Sequence, residues 1–216
     1  MRKMILLGWL VLFLAPGVCA QEKVEAPVWN VGDKWTFTGN GSIEVIKADQ
    51  NGYILKFSDR NCSFESQGCN TILFQRATLN RINAIEGDKG KKYVMGLSKL
   101  LDFPLSAGKQ WKTAYSSVGP GSVHPINYDF SEIYKVSGWE DIAFQAGKLK
   151  ALRLEYKRLV TGTSGWGIMA VGDEIKNQYW YSPDVKYFVK CQYDKDWRKG
   201  NKDIFDWELV SFQLKK

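Results

Sequence analysis

From Asp33 onward, apolar and polar residues alternate in short runs broken by glycine, proline and asparagine. A period of two puts successive side chains on opposite faces of a strand, so these runs predict strands with one buried face. The clearest pair spans Asn177 to Tyr193, where aromatic and β-branched runs flank Ser182-Pro183-Asp184. Proline presets φ for the second position of a tight turn and aspartate suits the next, which predicts strand–turn–strand. In the second run, alternation assigns Tyr187, Val189, Cys191 and Tyr193 to one face and Lys186, Lys190 and Gln192 to the other.

The same pattern recurs along the chain. Asp33–Gly39, Ser42–Ala48 and Tyr53–Ser58 read as strands, the last two joined through Asn51-Gly52, a strong hairpin signal. Thr71–Arg76 and Leu79–Asn83 follow, Tyr93–Gly96 is a weaker candidate, and Leu97–Leu101 has the length of one helical turn. Between Ile126 and Ser137, Ile126, Tyr128, Phe130, Tyr134 and Val136 share a face, while Glu132 and Ile133 break the pattern as a bulge or twist does. Ile142–Phe144 turns at Ala146-Gly147-Lys148 into a long strand, Leu149–Val160, whose Leu152, Leu154 and Tyr156 oppose Arg153, Glu155 and Lys157. Between Ile204 and Leu214 the apolar parity changes after Leu209, which predicts another bulge.

Val31-Gly32-Asp33-Lys34-Trp35 is echoed by Ala107-Gly108-Lys109-Gln110-Trp111. The echo marks either two related halves of one sheet or a favoured way of starting a strand after a turn. No run sustains a helical period over three turns. The expected fold is all-β: a single, mainly antiparallel, strongly curved sheet forming a closed or partly closed barrel, with a two-sheet β-sandwich as the alternative.

Residues 1–20 have a different character. Met1-Arg2-Lys3 is a positive start, Met4–Ala15 is an apolar run short for a bilayer, and Val18-Cys19-Ala20 fits a signal-peptidase site. The expected mature protein is one β domain, 21–216, periplasmic or secreted. The alternative is a lipoprotein anchored to the membrane through an acylated Cys19, against which the bulky Val18 argues. Export changes how the cysteines read. Cys62 and Cys69 bracket a short polar loop and are the expected disulfide, worth about 2–3 kcal/mol by loop closure. Cys191 is left as a small buried hydrophobe.

Lysine and arginine number 30 against 23 acids, a formal charge of +7, or about +5 without Arg2 and Lys3. The basic residues are scattered with no run of five, which excludes a nucleic-acid footprint. The single histidine, His124, lies in the turn-rich Gly119–Pro125 stretch, and no Gly-x-Ser-x-Gly elbow occurs. No zinc ligand set or other metal site, no cofactor and no catalytic residue is assigned. Gly162–Gly167 has the glycines of a phosphate loop but not its Gly-Lys-Ser/Thr ending, and Asp194-Lys195-Asp196 starts like a calcium loop but fails at Arg198.

The nine tryptophans are the most unusual feature. Such aromatics fill a β core, line a cavity for an apolar ligand, or stack on sugars; Trp166, Trp180, Tyr181 and Trp197 are the candidate ligand contacts. Taken together, the stretches VGDKW, FPLSAGKQW, GWEDIAFQAGKLKALRL and YWYSPDVKYFVK resemble uncharacterised secreted β-rich bacterial proteins of unknown function, over Val31 to Lys190. The resemblance implies export and a β fold, and carries over no activity. The expected function is non-catalytic binding of an apolar or envelope-derived ligand, with lipid among the candidates. The alternatives are a carbohydrate-binding module using exposed aromatics and a hydrolase working through paired carboxylates.

Overall fold

A computed structural model describes residues 22–58, 71–84, 99–119, 126–145, 147–164, 169–193 and 206–216. The expected leader (1–20), Cys62 and Cys69, the candidate strand at Tyr93–Gly96, His124, Trp166 and Trp197 lie outside the described residues.

The strands are β1 (Lys34–Phe37), β2 (Ser42–Asp49), β3 (Gly52–Phe57), β4 (Thr71–Phe74), β5 (Arg81–Ala84), β6 (Gln110–Gly119), β7 (Ile126–Phe144), β8 (Gly147–Ser164), β9 (Met169–Ser182), β10 (Tyr187–Tyr193) and β11 (Trp207–Gln213). They form one antiparallel sheet in the order β5-β4-β3-β2-β1-β11-β10-β9-β8-β7-β6. Two five-stranded meanders, β1–β5 and β6–β10, thus lie side by side with β11 between them. The all-β, single-sheet expectation holds, but closure does not. Among the described residues β5 and β6 are the outer strands and no pairing joins them. Alternation specifies which face is buried; it carries no information about the stagger that closes a barrel. The sandwich alternative also gives way, because β11 makes the two meanders one continuous ladder.

That strand serves both sides in turn. Trp207 and Glu208 pair with Cys191 and Lys190 of β10, whereas the residues from Leu209 to Gln213 pair with β1. The register slips between Phe37↔Leu209 and Thr36↔Ser211, leaving Val210 as the extra residue. This is the bulge predicted by the parity change after Leu209.

The repeated Gly-x-x-Trp starts take the same local structure. In the first, the Gly32 amide donates to the Val45 carbonyl (2.8 Å), the Val45 amide to Asp33 (2.9 Å), and the Asp33 amide closes a turn on Asn30 (2.9 Å). In the second, Gly108 donates to Val136 (2.7 Å), Val136 to Lys109 (2.8 Å), and Lys109 to Ser106 (3.1 Å). Gly32 and Gly108 both sit at positive φ, 89° and 80°, where a side chain is strained. Gly52 is glycine for a different reason. It pairs with Asp49 across a Gln50-Asn51 loop, and a Cβ on it would lie 2.0 Å from the Phe74 carbonyl oxygen.

Two cores result. One, under β1–β4, contains Trp29, Trp35, Phe37, Val45, Tyr53 and Leu55, and takes Trp180, Val185 and Val189 from the second meander. The other lies on the opposite face of β6–β10, with Trp111, Tyr134, Leu152, Leu154, Tyr156, Tyr179 and Tyr181, covered by Val24, Leu101 and Leu105. The inner strands of the second meander are therefore buried on both faces, which is why Tyr179-Trp180-Tyr181 reads as an unbroken aromatic run. A bulge between Val136 and Gly138 bends β7, and its far end, Ile142 and Phe144, packs against the first core with Leu149 of β8.

The turn after β9 is fixed by indoles of the first core. Lys186 closes it on the Pro183 carbonyl (3.2 Å), Trp35 Nε1 donates to Val185 O (2.6 Å) and Trp29 Nε1 to Lys186 O (2.9 Å). Past the turn, a bulge between Phe188 and Lys190 changes the expected faces of β10. Phe188 and Cys191 both face the second core, while Val189, the extra residue, falls into the first. Strict alternation had put Val189 and Cys191 together.

Candidate functional site

β7 and β8 are long, 19 and 18 residues, and their inner face can be read in cross-strand rows. Trp111, Tyr134, Tyr156 and Asn177 are aligned from β6 to β9. The next row is Thr113, Glu132, Arg158 and Ile175, and beyond it come Tyr115, Phe130 and Val160. Burial loosens along this direction: Trp111 and Tyr134 are buried, whereas Tyr115 and Phe130 are half-buried.

Glu132 is the centre of the arrangement. The ladders on both sides of it run without a register slip from Ile126 to Lys135, so of the bulge or twist expected at Glu132 and Ile133 the bulge is absent. Glu132 keeps the parity of Phe130 and Tyr134, and its side chain enters the aromatic face at 2% exposure. A buried carboxyl group is costly unless its oxygens accept hydrogen bonds. Here Tyr134 donates to Oε2 (2.8 Å) and Tyr156 to Oε1 (2.8 Å), while Tyr115 reaches Oε1 at 3.2 Å. Tyr134 stands two residues along the same strand face. Tyr156 and Tyr115 come from the diagonal positions on β8 and β6, a span that an aromatic side chain covers.

The rings reinforce these positions. Trp111 stacks on Tyr134 at 5.1 Å with planes 8° apart, and Tyr115 stacks on Phe130 at 4.7 Å. Trp111 in turn donates Nε1 to the Lys99 carbonyl (2.8 Å), tying the face to the segment that covers it. Burial, and then the charge of Glu132, hold the Tyr156 phenol far above its ordinary range. Burial also raises Tyr179 and the Cys191 thiol, the latter further through the charge of Asp206. These groups keep their protons at any ordinary pH, so they act as fixed donors and fillers, away from the near-neutral range that acid–base or thiolate chemistry uses.

Several buried polar groups of β9 lack partners among the described residues. Asn177 donates Nδ2 to the Tyr179 hydroxyl (3.1 Å), but its Oδ1 is buried with no hydrogen-bond partner among the described residues, as are the Tyr181 hydroxyl and Ser182 Oγ. Arg158 projects from β8 on the same face, half-buried, with its guanidinium 5.8 Å from the centre of the Phe130 ring. Among the described residues no three His, Cys, Asp or Glu side chains gather as a metal site.

Two of the sequence-derived contact residues can be placed. Trp180 lies in the first core and donates Nε1 to Glu140 Oε2 (2.8 Å). Tyr181 lies in the second core, edge-on to Phe103 and Phe188. Adjacent in sequence, they point to opposite faces of β9 and do not converge; Trp166 and Trp197 lie outside the described residues. Glu132 and Arg158 were not singled out from sequence. The available signal was parity: an acid in register with Phe130 and Tyr134, and an arginine in register with Leu154 and Tyr156.

No protein-family model matches the chain, and no curated protein matches it. Among solved structures it is similar to the hypothetical lipoprotein YmcC from Escherichia coli K12, at 9% identity and a TM-score of 0.40, covering 89% of this chain and 90% of that one.

Proposed function

We propose that this is an exported, non-catalytic binding protein that holds an apolar or amphipathic envelope-derived molecule against the inner face of β6–β9. The observation that carries the reading is the Glu132 cluster. A carboxyl group held by three phenols inside an aromatic face fixes those rings in place, and a preorganised aromatic surface loses little on binding. The face grows less buried from Trp111 towards Tyr115 and Phe130, which are half-buried. The export signal in residues 1–20 supports an envelope or extracellular setting.

The test is native mass spectrometry of mature protein purified gently from its own envelope fraction. A reproducible mass excess that organic extraction removes is the expected result. A bare polypeptide, with no tyrosine or tryptophan fluorescence response to a panel of lipids, overturns the reading.

A further inference from the structure

Arg158 is the one part of the Glu132 row whose chemistry is unspent. It stands directly across from Glu132 in the β7–β8 ladder, the natural geometry for a cross-strand ion pair. Yet no ion pair or hydrogen bond involves Arg158 among the described residues, and its Nε is buried without a partner. Glu132 instead gives its oxygens to Tyr115, Tyr134 and Tyr156. On the opposite face of the sheet the cations are ion-paired, although Arg153 Nε is likewise buried without a partner. Arg153 pairs with Glu140 (3.0 Å), Lys157 with Glu174 (2.8 Å) and Lys190 with Glu208 (2.6 Å).

A guanidinium presents a planar fork of donors that matches a carboxylate or a phosphate, and its flat face rests on aromatic rings. Over Phe130, Arg158 has the second of these contacts and lacks the first. We propose that Arg158 is the anchor for an anionic head group, carboxylate or phosphate, of an amphiphile whose apolar part lies along Phe130 and Tyr115. Buried orphan donors are costly, and a bound oxyanion supplies the acceptors that the fold withholds. The phenols turned to Glu132 keep its oxygens occupied, so the fork faces the ligand. This inference rests on the binding function proposed above and names the ligand class.

The experiment titrates the mature protein with dodecanoate, with dodecan-1-ol and with inorganic phosphate, followed by calorimetry and native mass spectrometry. Dodecanoate is expected to bind at least about tenfold tighter than the alcohol, and Arg158→Gln to erase that preference. Arg158→Lys, which keeps the charge without the fork, is expected to restore part of it. Equal binding of acid and alcohol, or a preference that survives in Arg158→Gln, overturns the anchor and leaves apolar binding standing. Arg158-dependent binding of phosphate alone, without dodecanoate, assigns the fork to a free oxyanion and overturns the amphiphile. Binding of none of the three, by protein whose circular dichroism is native, overturns both the anchor and the binding function.

Discussion

β1 and β6 start from the same Gly-x-x-Trp turn with the same hydrogen bonds, yet β1 runs for 4 residues and β6 for 10. Their partners diverge further: β2 and β3 have 8 and 6 residues, against 19 and 18 in β7 and β8. In the short meander the buried residues of β1–β4 pack into the first core, and two of its buried side chains are tied down by main-chain partners. Asp33, fully buried, takes the amides of Asn30 (2.9 Å) and Lys215 (2.7 Å), and Trp35 takes the Val185 carbonyl. In the long meander the strands extend past the described residues that pack on their inner face, Val24, Leu101 and Leu105. Past Tyr134 the inner face has its own device, a carboxyl group ringed by phenols. Strand length alone thus turns one structural motif into two kinds of surface, one packed on the first core and one that grows less buried towards Tyr115 and Phe130.

The largest expected effect tests the cohesive half. Trp35→Ala removes a wholly buried indole and its hydrogen bond, and should cost about 3–5 kcal/mol in urea denaturation. The matched Trp111→Ala should fall at or below the lower end of that range. A larger loss at Trp111 than at Trp35 would reverse the assignment of the two halves.

Next is Glu132→Leu. It leaves Tyr134 and Tyr156 without their acceptor in a buried site, at a cost of about 1–3 kcal/mol, with a changed near-ultraviolet circular dichroism from the released tyrosines. Unchanged stability together with an unchanged spectrum would mean that the phenols are held by packing alone.

A smaller effect concerns the covering segment. Asp102 is pushed up by burial, but Lys99 (2.5 Å) and Lys109 (3.0 Å) outweigh it and hold the carboxyl below its usual value of 3.8. A depressed folded-state value means stability that is present above that value and lost as pH falls through it. Acidification below about pH 4 should weaken this clamp by no more than about 1 kcal/mol, and Asp102→Asn should flatten that part of the pH–stability curve. Equal acid sensitivity in the variant would place the titrating group elsewhere.

The smallest effect is also the sharpest contrast. Tyr181→Phe removes a hydroxyl with no partner among the described residues and should be neutral or stabilising by up to about 0.5 kcal/mol, whereas Tyr156→Phe should cost about 1 kcal/mol. Equal losses at the two positions would show that Tyr181 has an unseen partner.

The strands were largely legible because alternation is a local consequence of one buried face. The bulge after Leu209, the location of the turn at Pro183 and the matched turns before Trp35 and Trp111 all follow from neighbouring residues, although the Lys186–Pro183 hydrogen bond makes proline the first residue of its turn and not the second. Non-local geometry was not legible. β9 begins at Met169, well before Asn177, because its first half gains strand structure by pairing with the extended β8. The bulge at Phe188–Lys190 was hidden because Phe188, Val189 and Cys191 are all apolar, and with a core on each face an apolar residue suits either side. At Glu132 the sequence showed an exception to the pattern, and two physical explanations compete for such an exception: a shifted backbone or a tolerated buried acid. Only the positions of Tyr115 and Tyr156, 17 and 24 residues away in the chain, decide between them.

The place of β11 bears on how the molecule is made. The strand that joins the meanders follows both of them in the chain, so β1 and β10 each present an unpaired edge until Trp207–Gln213 arrives. Exposed edges recruit other chains, and a pairing that spans nearly the whole sequence forms late and slowly. During folding the two meanders therefore pass through an interval in which each is a template for the wrong neighbour. Lys34 at one edge and Lys190 at the other put a charge on each exposed edge during that interval.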